Sequence, residues 1–102
     1  MEKDIQQLQV IEQNIQHLSG QRQQFQAQQA ELESALQELT QQDDAYRIIG
    51  NLMVKTPTAQ LRQELQEKKE LLVIRIKNIE KQEEKLKKKS EDIRSAVLAK
   101  MK

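Results

Sequence analysis

The sequence predicts an all-α dominated fold: a long antiparallel two-helix coiled coil whose helices are joined by a short β-hairpin that pairs with strands of other subunits. Three observations predict it. The composition is that of long helices, apolar residues recur at heptad spacing in both halves, and a ten-residue segment centred on Gly50-Asn51 separates those halves.

The 102 residues are 36% hydrophobic, 32% charged and only 2% aromatic, with one Tyr, one Phe and no Trp. A globular core needs large apolar side chains to offset chain entropy, and few are present. Two Gly and one Pro are too few for a disordered linker. Gln, Glu, Lys, Leu and Ala dominate, as in coiled coils. One domain over residues 1–102 is expected, with helix 1 at about 2–44, the hairpin at about 46–55 and helix 2 at about 57–101.

In helix 1, heptad position a holds Leu8, Ile15, Arg22, Gln29 and Leu36, and position d holds Ile11, Leu18, Phe25, Leu32 and Leu39. Five consecutive heptads with eight of ten seam positions apolar is a specific coiled-coil signal. Gly20 falls inside this helix, at a cost of about 1 kcal/mol relative to Ala. In helix 2, Leu65, Leu72, Ile79, Leu86 and Ile93 recur every seven residues. Ile76 and Val97 occupy alternate seam positions, and Lys69, Glu83 and Ser90 the others. Thr56-Pro57-Thr58 opens this helix, because Thr caps free N–H groups and Pro is tolerated in a first turn.

Each helix is roughly 42–45 residues, or about 65 Å at 1.5 Å per residue. Neither is stable alone with so narrow an apolar stripe, so they fold back on each other. A hairpin symmetric about residues 50 and 51 makes partner numbers sum to about 101. That register sets Leu36 against Leu65, Phe25 against Ile76, Ile15 against Leu86, Leu8 against Ile93, Arg22 against Ile79, Gln29 against Leu72 and Leu18 against Glu83. A one-heptad shift, to a sum of about 108, stays open and places Phe25 opposite Glu83.

Net charge is +1, but residues 1–45 carry two basic against eight acidic groups, and residues 46–102 fifteen against eight. The simplest reading is an acidic helix lying against a basic one; the other is an anionic partner for the basic half.

In the connection, Tyr46-Arg47-Ile48-Ile49 and Leu52-Met53-Val54-Lys55 flank Gly50-Asn51, a two-residue turn that tolerates positive φ. Ile49, Leu52 and Val54 fall on one face of the hairpin, and Ile48 and Met53 on the other. Both faces are apolar, and a lone two-stranded hairpin is marginal in water with open edges. The strands Tyr46, Ile48, Ile49, Leu52, Met53 and Val54 are therefore expected to assemble with other subunits into a closed or near-closed sheet. A loop collapsed on the coil is the alternative. Leu71, Val73 and Ile74 lie off the seam near the same end, and a neighbouring subunit is expected to cover Leu71 and Ile74.

The order of long helix, hairpin of the form Tyr46-Arg47-Ile48-Ile49-Gly50-Asn51-Leu52-Met53-Val54-Lys55-Thr56 and second long helix resembles the β-type subunits of prefoldin. Ile79-Glu80-Lys81-Gln82-Glu83-Glu84-Lys85 is similar to that family's second helix, and the likeness is archaeal in flavour. A ten-residue connection has room for one hairpin, whereas α-type subunits carry two. The resemblance implies a hexamer of two α-type and four β-type subunits whose hairpins form an intersubunit double β-barrel. It implies ATP-independent capture of non-native proteins at the coiled-coil tips and delivery to a group II chaperonin. Fourteen Gln in residues 1–42 and a run of lysines depart from expectation.

Outside the seam near both termini stand Met1, Ile5, Val10, Leu98 and Met101; frayed ends also loosen Leu8, Ile11 and Val97. These eight residues are the expected client-binding set, because burial of apolar surface gains roughly 25 cal/mol per Å² and flexible Met suits varied partners.

No catalytic residues are expected, as no nucleophile–base set, phosphate loop or metal cluster is present. His17 is a lone exposed His at position c, and Asp43-Asp44 lack a pocket. Cysteine is absent, so no thiolate site is available. No cofactor, metal or membrane partner is expected: no signal-like run opens the chain, and no stretch approaches roughly 20 apolar residues. A cytoplasmic protein follows. Lys85-Leu86-Lys87-Lys88-Lys89 could contact phosphates, but without interleaved aromatics and with acids nearby a solvated face is preferred, and nucleic acid is not expected as a partner. A scaffolding coiled coil with weak nucleic-acid affinity through Lys85–Lys89 is the alternative function. Contact between this run and an acidic patch of a chaperonin is a further option.

Overall fold

A computed structural model describes residues 2–39 and 44–101. The elements run in the order α1 (Glu2–Leu39), β1 (Asp44–Ile49), β2 (Leu52–Pro57) and α2 (Thr58–Met101). This is the fold expected: two long antiparallel helices joined by a β-hairpin. Glu2 and Asp4 in the first turn of α1, and Lys100 in the last turn of α2, complement the helix dipoles. Asp44 belongs to β1 rather than to helix 1, and Pro57 pairs with Asp44 as the last residue of β2 rather than opening helix 2. Pro lacks only an N–H, so it is accommodated at the end of an edge strand. The expected helical residues 40–43 lie outside the described residues.

The chain forms two compact units, Met1–Gln24 with Arg75–Lys102 and Phe25–Ile74. In the first, the heptad spacing is realised as burial. Ile11, Ile76 and Ile79 are buried at separate levels of the seam, as are Glu83 and Ser90. Leu8, Ile15, Leu18, Arg22, Leu86, Ile93 and Val97 are half-buried along the same seam. Three ion pairs tie the antiparallel helices: Arg22 Nε to Glu83 Oε1 at 2.8 Å, Arg94 to Glu12 at 3.4 Å and Lys100 to Asp4 at 3.4 Å.

In this unit the pairs correct the expected register: their partner numbers total between 104 and 106, between the sums of about 101 and 108 considered above. In the second unit Lys69 with Glu33 totals 102 and Arg62 with Leu39 totals 101, close to the expected sum. Arg22 meets Glu83 instead of Ile79. The physical reason is the cost of burying one charge against hydrocarbon: with both charged seam residues present, the register that pairs them avoids two uncompensated ions.

In the second unit Leu39, Ala45, Thr56 and Leu72 are buried, and Leu32, Leu36, Leu61 and Leu65 are half-buried. Lys69 lies 3.6 Å from Glu33. The last turn of α1 carries no basic residue, yet Arg62 of α2 donates to the Leu39 carbonyl oxygen at 3.2 Å. A cation borrowed from the other helix thus satisfies an acceptor that the helix end leaves free. The hairpin pairs Ile49 with Leu52, Ile48 with Met53, Arg47 with Val54, Tyr46 with Lys55 and Ala45 with Thr56. Gly50 has φ +60° and no non-glycine residue has positive φ among those described, the signature of a type II′ turn.

Candidate interaction surfaces

Opposed residues in an antiparallel pair share a face, so the register divides the hairpin. One face holds Ala45, Thr56, Arg47, Val54, Ile49 and Leu52. Its base is anchored: Ala45 and Thr56 are buried, and Arg47 Nη2 donates to Glu64 Oε2 of α2 at 2.8 Å. Toward the turn, Val54, Ile49 and Leu52 emerge into solvent. The other face carries Tyr46, Ile48 and Met53, with a Lys55–Asp44 ion pair at 3.3 Å near its base. None of it is covered: Ile48 is 75% and Met53 70% exposed. The division of apolar residues between faces matches the expectation from alternation. The anchoring by Arg47 and Glu64 was not foreseen, though a cation in a strand and an anion about two turns into the next helix could have suggested it.

Leu71 and Ile74 are also exposed, on the side of α2 away from buried Leu72 in the same unit as the hairpin. The hairpin and these two residues leave a broad apolar surface without an intramolecular partner. Exposed apolar area on this scale marks a protein interface rather than a free surface.

In the first unit Ile5, Val10, Leu98 and Met101 are exposed, and Leu8 and Val97 are half-buried seam residues. Ile11 is only 4% exposed and offers no surface while the helices are paired. Met1 lies outside the described residues. An open groove along α1 is lined by two apolar residues, Ile5 and Leu8, and by Gln9, Glu12, Gln13 and Gln16.

His17 is exposed on α1. Asp44 is held by Lys55 in the hairpin, and Asp43 lies outside the described residues. Among the described residues no group of three His, Cys, Asp or Glu could hold a metal ion. No described helix is long and apolar enough to cross a membrane.

A coiled coil that holds a two-stranded sheet with apolar side chains on both faces defines an assembly subunit, since the sheet's surface and edges are satisfied only by other chains. The comparisons with known proteins agree. Residues 2–102 match the family model described as prefoldin subunit. The chain is 43% identical over 83 residues to prefoldin subunit beta of Archaeoglobus fulgidus, covering 78% of this chain and 72% of the relative. It is 35% identical over 101 residues to prefoldin subunit beta of Thermoplasma volcanium, covering 95% and 82%. The crystal structure of the prefoldin beta subunit from Thermococcus strain KS-1 superimposes with a TM-score of 0.89 at 31% identity, over 96% of this chain and 89% of that one. The chain belongs to the prefoldin subunit family, a family of chaperones, and its likeness is to the β-type subunits of archaea.

Proposed function

We propose that this chain is a β-type subunit of an ATP-independent holdase, assembled as two α-type and four β-type subunits through a double β-barrel of hairpins. Tyr46, Ile48, Ile49, Leu52, Met53 and Val54 supply the barrel strands, with Leu71 and Ile74 against a neighbouring subunit. The coiled-coil ends capture non-native proteins and pass them to a group II chaperonin in the cytoplasm. The chemistry is non-covalent, with no cofactor.

One observation carries the client-binding part of this reading. Ile5, Val10, Leu98 and Met101 are all exposed on helices whose seam is already filled by other residues. Their exposure costs folding nothing in local packing, so they are available to apolar segments of a client. Each contact is small, and affinity arises from several subunits engaging one chain.

The test replaces Ile5, Val10, Leu98 and Met101 with Gln in the assembled complex. Gln is a good helix former, so the mass by light scattering stays that of the wild type while suppression of aggregation of a denatured protein is lost. Full suppression by this variant refutes the assignment of the client site.

A further inference from the structure

The lysines of α2 are not neutralised by α1. In the first compact unit, residues 1–24 hold two basic and three acidic groups, while residues 75–102 hold ten basic groups and five acidic ones. The unit carries net +4. Two of the three acids of α1 in this unit pair elsewhere, Asp4 with Lys100 and Glu12 with Arg94, Glu2 stands at the far end of the helix, and Glu83 is taken by Arg22. The reading of an acidic helix against a basic one therefore fails in this unit.

Lys77, Lys81, Lys85 and Lys88 follow one another at steps of four, four and three, which places them on one face of α2. The opposite face holds the seam residues Ile76, Ile79, Glu83, Leu86 and Ser90. All four lysines are exposed, and among the described residues none of them enters an ion pair. Like charges at this spacing oppose the helix by about 0.2–0.5 kcal/mol per pair. Glu80 and Glu84, three residues from Lys77 and Lys81, offset part of that repulsion, and none of the four lysines closes an ion pair with them.

We propose that the Lys77–Lys81–Lys85–Lys88 face of α2 is a binding surface for the phosphate backbone of duplex nucleic acid. Three features select this partner. The row extends over about three turns of an exposed helix face, so it suits a long regular anion rather than a small one that needs a pocket. Lysine is a point-charge phosphate ligand, whereas planar pairing with carboxylates favours arginine. This unit has no Tyr or Trp, and none of the four lysines has an aromatic neighbour within four residues, so the stacking that holds single strands is missing. Binding is independent of base sequence, because backbone contacts carry no sequence information.

The experiment is fluorescence anisotropy of two labelled duplexes of unrelated sequence, titrated with the full chain at several KCl concentrations. Equal affinity for both is expected, with log K falling against log salt at a slope of about −3 to −4 for four lysines. The Lys77/Lys81/Lys85/Lys88→Gln variant should lose binding at least tenfold and most of that slope. Lys85/Lys88→Gln should lose about half of it, and both should keep wild-type helix content. No duplex binding at low salt, or wild-type binding by the fourfold variant, overturns the proposal. So does displacement of the duplex by poly-glutamate at equal charge, or stronger binding of a single strand. Aggregation suppression measured on the same variant is unaffected if the proposal holds, so this test is independent of the client-site assignment.

Discussion

Arg22 and Glu83, each at a seam position of its helix, meet through an Nε–Oε1 hydrogen bond of 2.8 Å with Glu83 only 5% exposed. Arg22 also reaches the Ser19 hydroxyl at 3.4 Å and keeps part of its guanidinium at the surface. The two partners are therefore unequal: the carboxylate depends on the pair for its solvation, while the guanidinium can turn to water.

Removal of either partner should expose that inequality. Arg22→Leu strands the Glu83 carboxylate and is expected to cost about 3 kcal/mol, near the lower end for a broken buried pair. Glu83→Leu should cost clearly less. The double Leu variant should match or exceed the wild type, since a well-packed apolar layer replaces an ion pair without loss. Urea unfolding of the four proteins at one fixed protomer concentration gives the cycle. Equal losses for both single variants, adding in the double, would show that the pair contributes nothing specific.

The exposed hairpin face makes a separate prediction. Ile48 and Met53 are opposed across the strands, and most of each side chain stands in solvent. Ile48→Thr with Met53→Thr should change helix content little, because surface substitutions usually stay within about 0.5 kcal/mol. Assembly should weaken by at least tenfold, because full burial of each side chain is worth about 1.5–3 kcal/mol. Light scattering across a dilution series reads the difference. A complex whose mass persists to the same dilution as the wild type would remove this face from the interface.

Both results bear on what could be read before folding was known. Leu8, Ile11, Leu18 and their heptad partners announced the seam, and alternation around Gly50-Asn51 announced the hairpin, because each period belongs to one kind of element. Register was harder. A leucine seam packs almost as well after a half-heptad slide, so the choice falls to the few charged positions, in the first unit Arg22 with Glu83, Glu12 with Arg94 and Asp4 with Lys100. The end of α1 was also misplaced. Asp44 has no strand propensity, and its place in β1 comes from pairing with Pro57 and from the Lys55 ammonium beside it. The surfaces outside the seam were visible as apolar residues out of period, whereas the bare lysine row became evident only once the acids of α1 had found their partners.

Gly20 offers a gain in stability. It lies within α1, exposed, and a Cβ added there meets nothing within 4 Å. Gly in a helix interior costs about 0.5–1 kcal/mol relative to Ala. Gly20→Ala should therefore stabilise the chain by that amount, read as a higher urea midpoint with the slope unchanged. A loss instead would mean that α1 needs backbone freedom at this point, a requirement that the regular helix through Gly20 does not suggest.

Gly50 behaves in the opposite way for a reason that space does not explain. A Cβ there also meets nothing within 4 Å, but the φ of +60° is one that side chains of the L series rarely adopt. The type II′ turn needs this conformation at its first central residue so that the twist of the turn matches that of the strands. Gly50→Val combines a left-handed backbone with β-branching and should cost about 1–2 kcal/mol. Gly50→Asn should cost less, since Asn tolerates the left-handed region through local hydrogen bonds. Because the turn sets which residues oppose each other, the Val variant should also loosen the Ile48–Met53 and Ile49–Leu52 pairing. Thermal unfolding gives the ranking Gly, Asn, Val, and assembly mass should follow the same order. If Asn proves as damaging as Val, then an unobstructed approach at the turn, rather than its backbone angle, is what glycine supplies to the assembled sheet.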